Sequence, residues 1–233
     1  MKSMFSLAVA LVACTGSSGS EEPDLPIDAN ASCDPLSVLP TNYRPIPTVS
    51  TGAVMLETTA SVTTGTIDAT AGGLSGAADN PYIYVDLVAN ARVDVSDVNA
   101  RESLAWDIAL KRSSLRINGG DSGGGRRTLA IVTGATSVAT VTAPASGYAE
   151  DDFTTDDCML ETIPGGEPMS AFGEWYEYDL DTHAVMPKEE VYVLQRPDKS
   201  RTALRVISYY GDTSSPMRGG FYRIETKQLG DAP

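Results

Sequence analysis

Val191-Tyr192-Val193-Leu194-Gln195, then Pro197-Asp198-Lys199-Ser200, then Ala203-Leu204-Arg205-Val206-Ile207 is the stretch on which the fold turns. β-branched and aromatic residues dominate the outer runs, and such side chains pack best on a pleated, half-buried surface. Between them Pro197 presets a φ that suits a turn, and Asp198 and Ser200 can bond their own backbone, so the chain reverses. Two such runs joined by a short polar link make a hairpin. The pattern extends upstream. Over 82–88 the side chains alternate, with Ile83, Val85 and Leu87 on one face and Tyr82, Tyr84 and Asp86 on the other. Further strands are expected at 53–59, 103–110, 113–117, 129–133, 137–142, 190–196, 202–210 and 220–226, with a glycine-rich turn over 118–125. No segment keeps a helical period through a window of about eleven residues. The fold class is therefore all-β: a single antiparallel β-rich domain over residues 51–233, without internal repeats.

The N-terminus has a different character. Lys2 precedes an apolar run from Met4 to Ala13, broken only by Ser6, which reads as a secretory signal over residues 1–13. That run is about ten residues, half of the ~20 a membrane-spanning helix needs. Its end, Leu11-Val12-Ala13-Cys14, resembles the bacterial lipobox, in which the cysteine thiol is acylated (palmitate is an expected chain) and becomes the first mature residue. Acyl chains insert at about 0.8 kcal/mol per buried methylene, so several anchor durably. The alternative is an ordinary secretory signal with an incidental Cys14. Thr15, rather than Asp, follows the cysteine and favours the outer membrane over retention at the inner one. Residues 14–50, rich in Ser, Gly and acidic side chains and carrying Pro23, Pro26, Pro35, Pro40, Pro45 and Pro47, read as a flexible acidic tether.

Composition narrows the partners. The net charge is −14, or −15 without Lys2, which makes nucleic acid and anionic lipid surfaces poor partners; the membrane contact expected is the lipid on Cys14. Aromatic content is low at 7%, while 21 glycines and 14 prolines supply the turns of a β protein. With Cys14 lipidated, Cys33 and Cys158 remain; an even remainder in an oxidising compartment points to a disulfide, with two free thiols as the alternative.

Gly120-Asp121-Ser122-Gly123-Gly124 matches the nucleophile segment of trypsin-like proteases and the G-x-S-x-G elbow. A serine nucleophile needs a histidine base, and the chain has one histidine, His183, on the wrong side of Ser122 for the trypsin-like order. The elbow needs a parallel strand before it and a helix after, which an all-β context does not offer. There is no H-E-x-x-H and no carboxylate pair at a recognisable spacing. The glycines read as turn formers, and no enzyme is expected.

Ser103-Leu104-Ala105-Trp106-Asp107-Ile108-Ala109-Leu110-Lys111-Arg112, followed by Arg116-Ile117-Asn118-Gly119-Gly120, resembles the HmuY family of bacterial surface lipoproteins. Tyr84-Val85-Asp86-Leu87, Leu204-Arg205-Val206-Ile207-Ser208-Tyr209-Tyr210 and Gly219-Gly220-Phe221-Tyr222-Arg223-Ile224 resemble it in the same order, so the resemblance spans roughly residues 50–228. It implies an all-β outer-membrane lipoprotein, haem as the cofactor, two axial His or Met ligands and a TonB-dependent receptor as partner. Trp106 is expected in the core, and Asp107 as the cap of a turn.

Six-coordinate haem iron needs two lone-pair donors on opposite faces. His183, within a Thr-His pattern similar to the family's, is the first candidate, and a bis-histidine site is impossible. Met169 and Met159 are the candidates for the second ligand, since Met186 lies too near His183 to reach the opposite face; Trp175-Tyr176-Glu177-Tyr178 could supply an apolar wall or a tyrosine donor. The expected function is a non-enzymatic, surface-anchored ligand binder, haemophore-like in iron acquisition. The alternative is a structural or adhesion lipoprotein without a haem ligand.

Overall fold

Hydrogen-bonding order, rather than chain order, defines two antiparallel sheets. In this computed structural model residues 33–71, 79–211 and 219–229 are described; the expected signal peptide, Cys14 and the tether up to residue 32 lie outside them. The larger sheet has six strands: β1 (Val54–Thr59), β2 (Val62–Asp68), β12 (Phe221–Gln228), β11 (Arg201–Ser208), β10 (Glu190–Gln195) and β7 (Thr128–Thr133), in that spatial order. The smaller runs β4 (Ala91–Val93), β3 (Ile83–Asp86), β5 (Ile108–Lys111) and β6 (Ser114–Ile117). A separate hairpin joins β8 (Tyr176–Tyr178) to β9 (Val185–Pro187). The all-β reading holds.

The hairpin that decided the fold forms as expected. Gln195 pairs with Arg201 and Tyr192 with Leu204; the link closes through Arg196 N to Ser200 O at 3.0 Å, while Asp198 Oδ1 accepts from Ser200 N and Oγ. Its inward side chains, Tyr192, Leu194, Leu204 and Val206, share one apolar core with Ile83, Val85, Ile108 and Ile117 of the other sheet. Burying both inner faces against each other removes the apolar surface that neither sheet could leave in water.

Both sheets also bury part of their outer faces. Tyr82 and Tyr84, expected on the open face of β3, pack with Trp106 and Ala109 in a second cluster, with Tyr43 laid against it. Residues 33–50, expected as the last part of the tether, pack on the domain. A helical turn α1 (Pro35–Val38) is capped by Asp34, whose Oδ1 accepts from Leu36 N, and a 3₁₀ turn covers Thr41–Tyr43. Leu39 is buried, Ile46 N donates to Asp97 Oδ2, and Val49 bridges to Ser96. Proline-rich sequence hides this strap because it has no periodicity. Its order comes from a few anchors, one of which is the Cys33–Cys158 disulfide, with Cα atoms 5.4 Å apart.

Other differences have local causes. The strand expected at 103–110 begins only at Ile108, because the chain first turns to bury Trp106, whose indole N–H donates to Ala100 O at 2.8 Å. The strand expected at 137–142 is a loop that tucks Val138 under the outer face of the large sheet. β2 escaped the sequence reading because threonine and glycine dilute its apolar pattern; a Cβ at Gly65 would run into the Met55 carbonyl.

Asp107 caps the turn that follows β3 through Leu87 N, but its main partners are two arginines. It is 1% exposed, and its carboxylate receives Arg196 through Nη2 at 2.6 Å and Nε at 3.0 Å, Arg127 Nε at 3.2 Å and Leu87 N at 2.9 Å. Asp107 precedes β5 of the small sheet, whereas Arg127 and Arg196 flank β7 and β10 of the large one, so this buried group bolts sheet to sheet. Removing one member of such a set leaves buried charge uncompensated, at a cost of about 3–5 kcal/mol. Asp107→Ala is expected to lower the unfolding free energy by that amount, read as a lower urea midpoint with the slope unchanged; a loss below ~1 kcal/mol would mean that the bolt is not needed.

Candidate ligand-binding site

The end of the sandwich opposite Asp107 holds a cleft of about 1200 Å³, at or above the ~300–1,000 Å³ usual for small-molecule sites. Four elements meet there: the strap at Asn42 and Tyr43, the β5–β6 turn at Lys111–Ser113, the turn over 163–167, and the β8–β9 hairpin. Tyr209 and Tyr210, just past the end of β11, form the back wall.

The hairpin is held from beneath. Trp175 is fully buried, its indole N–H donates to Ser113 O at 2.8 Å, and its ring contacts those of Tyr176, Tyr209 and Tyr222 at 4.9–6.0 Å. Tyr210 Oη accepts from Val185 N at 2.7 Å, which ties β9 to the back wall. Aromatic packing of this kind adds about 0.5–1.5 kcal/mol per ring pair beyond area burial.

The walls combine aromatic surface with a few charges. Glu167 is buried and accepts from Ser113 Oγ and, at 3.1 Å, from Tyr176 Oη. Burial, reinforced by the Glu167 carboxylate, pushes the Tyr176 and Tyr43 phenols well above their ordinary range. Burial pushes Tyr209 up to about 12. These phenols therefore stay protonated at neutral pH. Burial also lowers the Lys111 ammonium. Arg112 is exposed in the β5–β6 turn, and Lys188 lies 3.5 Å from Glu174.

Of the candidate ligands, His183 lines this cleft together with Tyr176 and Tyr178 of the stretch singled out beside it. Its imidazole Nδ1 lies 2.8 Å from Tyr178 Oη, and its backbone sits at φ +58°. Met169 and Met159 do not line the cleft. Met169 is bound through its backbone to Glu161 in a neighbouring arm, and Met159 is 66% exposed beside the disulfide-bonded Cys158. Met186 pairs with Glu177 at mid-hairpin, also outside the lining. Sequence reading missed Tyr43, hidden in the supposed tether, and Glu167. An aromatic residue close to a pinned cysteine was the available signal for Tyr43. Among the described residues no group of three or more His, Cys, Asp or Glu could hold a bare metal ion, and no helix is long and apolar enough to cross a membrane.

Ser122 lies away from the cleft. Its Oγ donates to Asp151 Oδ2 at 2.6 Å, and the same carboxylate accepts from Ile117 N and Ala171 N. Ser122 is thus one donor in a staple that joins the glycine-rich turn to the segment feeding the cleft hairpin.

These features define a β-sandwich with an open, aromatic-lined end and one imidazole on its wall. The HmuY protein family matches residues 78–220, and the chain belongs to that family. Solved structures share the fold. A protein of Bacteroides fragilis provisionally described as a lipoprotein superposes with a TM-score of 0.52 at 17% identity, covering 78% of this chain and 96% of that one. The apo HmuY analog of Tannerella forsythia gives a TM-score of 0.50 at 15% identity, over 76% and 97% of the two chains. A Bacteroides vulgatus protein provisionally described as HmuY-like and haem-binding gives 0.49 at 20% identity, over 73% and 93%. No curated protein sequence matches the chain.

Asp151 makes the staple sensitive to pH. Burial raises its carboxyl to about 6, against the hydrogen bonds that favour the charged form. The folded state then takes up a proton at a pH where the unfolded chain does not. Stability should rise as pH falls from 7 towards 4, by at most about 1.4 kcal/mol per pH unit for this group. Asp97 and Asp121, also raised by burial, act in the same direction. Urea titrations at pH 7, 6 and 5 are expected to show this rise and a shallower one in Asp151→Asn; identical pH slopes in both proteins would remove Asp151 from the account.

Proposed function

We propose that this chain is a lipid-anchored, non-enzymatic ligand-binding protein of the bacterial outer surface, which carries haem as cargo in the cleft and holds its iron through His183. The observation that carries this reading is the placement of the chain's one histidine on the wall of its large aromatic cleft. Family membership supports it, because characterised HmuY proteins bind haem. Tyrosine faces would stack on the macrocycle, and the exposed Arg112 would meet its carboxylates, with Lys111 and Lys188 the other cations of the lining.

Among the described residues the cleft offers one axial ligand, His183. Met159 and Met169 lie off the cleft, the Tyr43, Tyr176 and Tyr209 phenols resist the deprotonation that a tyrosinate ligand requires, and the Tyr178 and Tyr210 hydroxyls are engaged by His183 Nδ1 and Val185 N. Delivery to a TonB-dependent receptor would follow from placement at the membrane by lipid on Cys14. Cys14→Ala is expected to move the protein from the membrane fraction to the soluble fraction of cells; retention in the membrane would contradict the lipid anchor.

Haem titration of the tag-free domain tests the cargo, since a histidine tag would itself bind haem. The expected outcome is a Soret shift with a high-spin spectrum, lost in His183→Asn. Asparagine is the better replacement because it tolerates the left-handed backbone found at this position. A low-spin spectrum with two protein ligands would contradict the single-ligand site. No spectral change at micromolar haem would leave the adhesion reading.

A further inference from the structure

Tyr178 and His183 flank the turn over 179–182 at the tip of the β8–β9 hairpin. The turn is self-bonded: Asp179 Oδ1 accepts from Asp181 N at 2.9 Å and from Thr182 N at 2.8 Å, and Asp179 N donates to Ala184 O at 2.9 Å. His183 then enters the left-handed region at φ +58°, which turns its side chain to meet Tyr178 across the strand pair, with Oη and Nδ1 2.8 Å apart. Nε2 makes no hydrogen bond among the described residues, so the two ring nitrogens are already distinguished.

We propose that Tyr178 is a positioning residue for His183 and works through a change of hydrogen-bond direction on loading. The inference rests on His183 being the axial ligand. A phenol hydroxyl both donates and accepts, whereas each nitrogen of a neutral imidazole does one or the other. Without ligand, Tyr178 Oη–H donates to Nδ1, and Nε2 carries the ring proton. When Nε2 gives its lone pair to a metal, its proton leaves to solvent and Nδ1 takes one from solvent. Nδ1–H then donates to Tyr178 Oη, whose hydrogen rotates outward about the C–O bond. The exchange moves one ring proton from Nε2 to Nδ1 by way of solvent, so no net proton is released. A partner on the distal nitrogen fixes ring orientation and raises ligand basicity, and loss of such partners usually lowers metal affinity about 10–100-fold.

The single histidine makes the test unambiguous, because ¹⁵N-histidine labelling reports one residue. The probe is zinc(II) protoporphyrin IX, which is diamagnetic and takes one axial ligand. Wild type is expected to show the Nε2–H tautomer with a hydrogen-bonded Nδ1 when free, and the Nδ1–H tautomer when saturated. In Tyr178→Phe the free Nδ1 resonance should move to the position of an unbonded imidazole, and Kd should rise at least ~10-fold with the melting curve unchanged. Equal Kd values, or equal ¹⁵N shifts, in wild type and Tyr178→Phe would overturn the proposal. His183→Asn separates the two levels. If it binds the porphyrin as wild type does, the ligand assignment itself fails. If it loses binding while Tyr178→Phe retains full affinity, only the role of Tyr178 fails.

Discussion

One buried carboxylate sets the geometry on which the rest depends. Asp107 holds two guanidinium groups and a backbone N–H inside the protein, and both guanidinium groups come from the opposite sheet. Apolar packing brings the sheets together but is non-directional and tolerates sliding. Charge-assisted, bidentate bonds do not tolerate it. The residues that precede β5, follow β10 and precede β7 are thereby fixed at one end of the sandwich.

At the other end, β5 and β11 frame the cleft. β5 leads from beside Asp107 to Lys111, and β11, which starts just beyond the Arg196 turn, leads to Tyr209 and Tyr210 just past its end. The cleft floor therefore inherits its spacing from a core locked at the far end, while its other walls are added pieces: the strap, the 163–167 turn and the β8–β9 hairpin. Each has its own tether to the frame. The strap has the disulfide and Asp97, the turn has Glu167 bonded to Ser113 and Tyr176, and the hairpin has Trp175 and Tyr210. A rigid frame with separately tied walls suits the holding of a planar ligand, which must be gripped on faces and edge at once.

The legible parts of this fold are those whose physics is local. Strand alternation at Ile83, Val85 and Leu87, the Pro197–Ser200 turn and the pairing of Cys33 with Cys158 could all be read because period, turn chemistry and cysteine parity are properties of short stretches or simple counts. The strap was not legible, since Leu39 and Tyr43 are ordered by contacts with residues far along the chain. Asp107 was read only in part for the same reason: its bond to the turn at Leu87 is one of several, and its larger role is defined by Arg196, 89 positions away. At the site, His183 was singled out by a Thr-His pattern that resembles the family's, whereas Met159 and Met169 were chosen by sequence separation, and separation does not say which wall a side chain joins.

The central claim is that a single imidazole on the cleft wall receives the iron of a haem. Anomalous diffraction at the iron edge from crystals of the haem-loaded domain addresses it directly. The account predicts one iron peak within bonding distance of His183 Nε2, between the β8–β9 hairpin and the wall formed by Tyr209 and Tyr210. An iron peak bonded to Met159 or Met169, or well-ordered haem elsewhere with His183 unliganded, would contradict it.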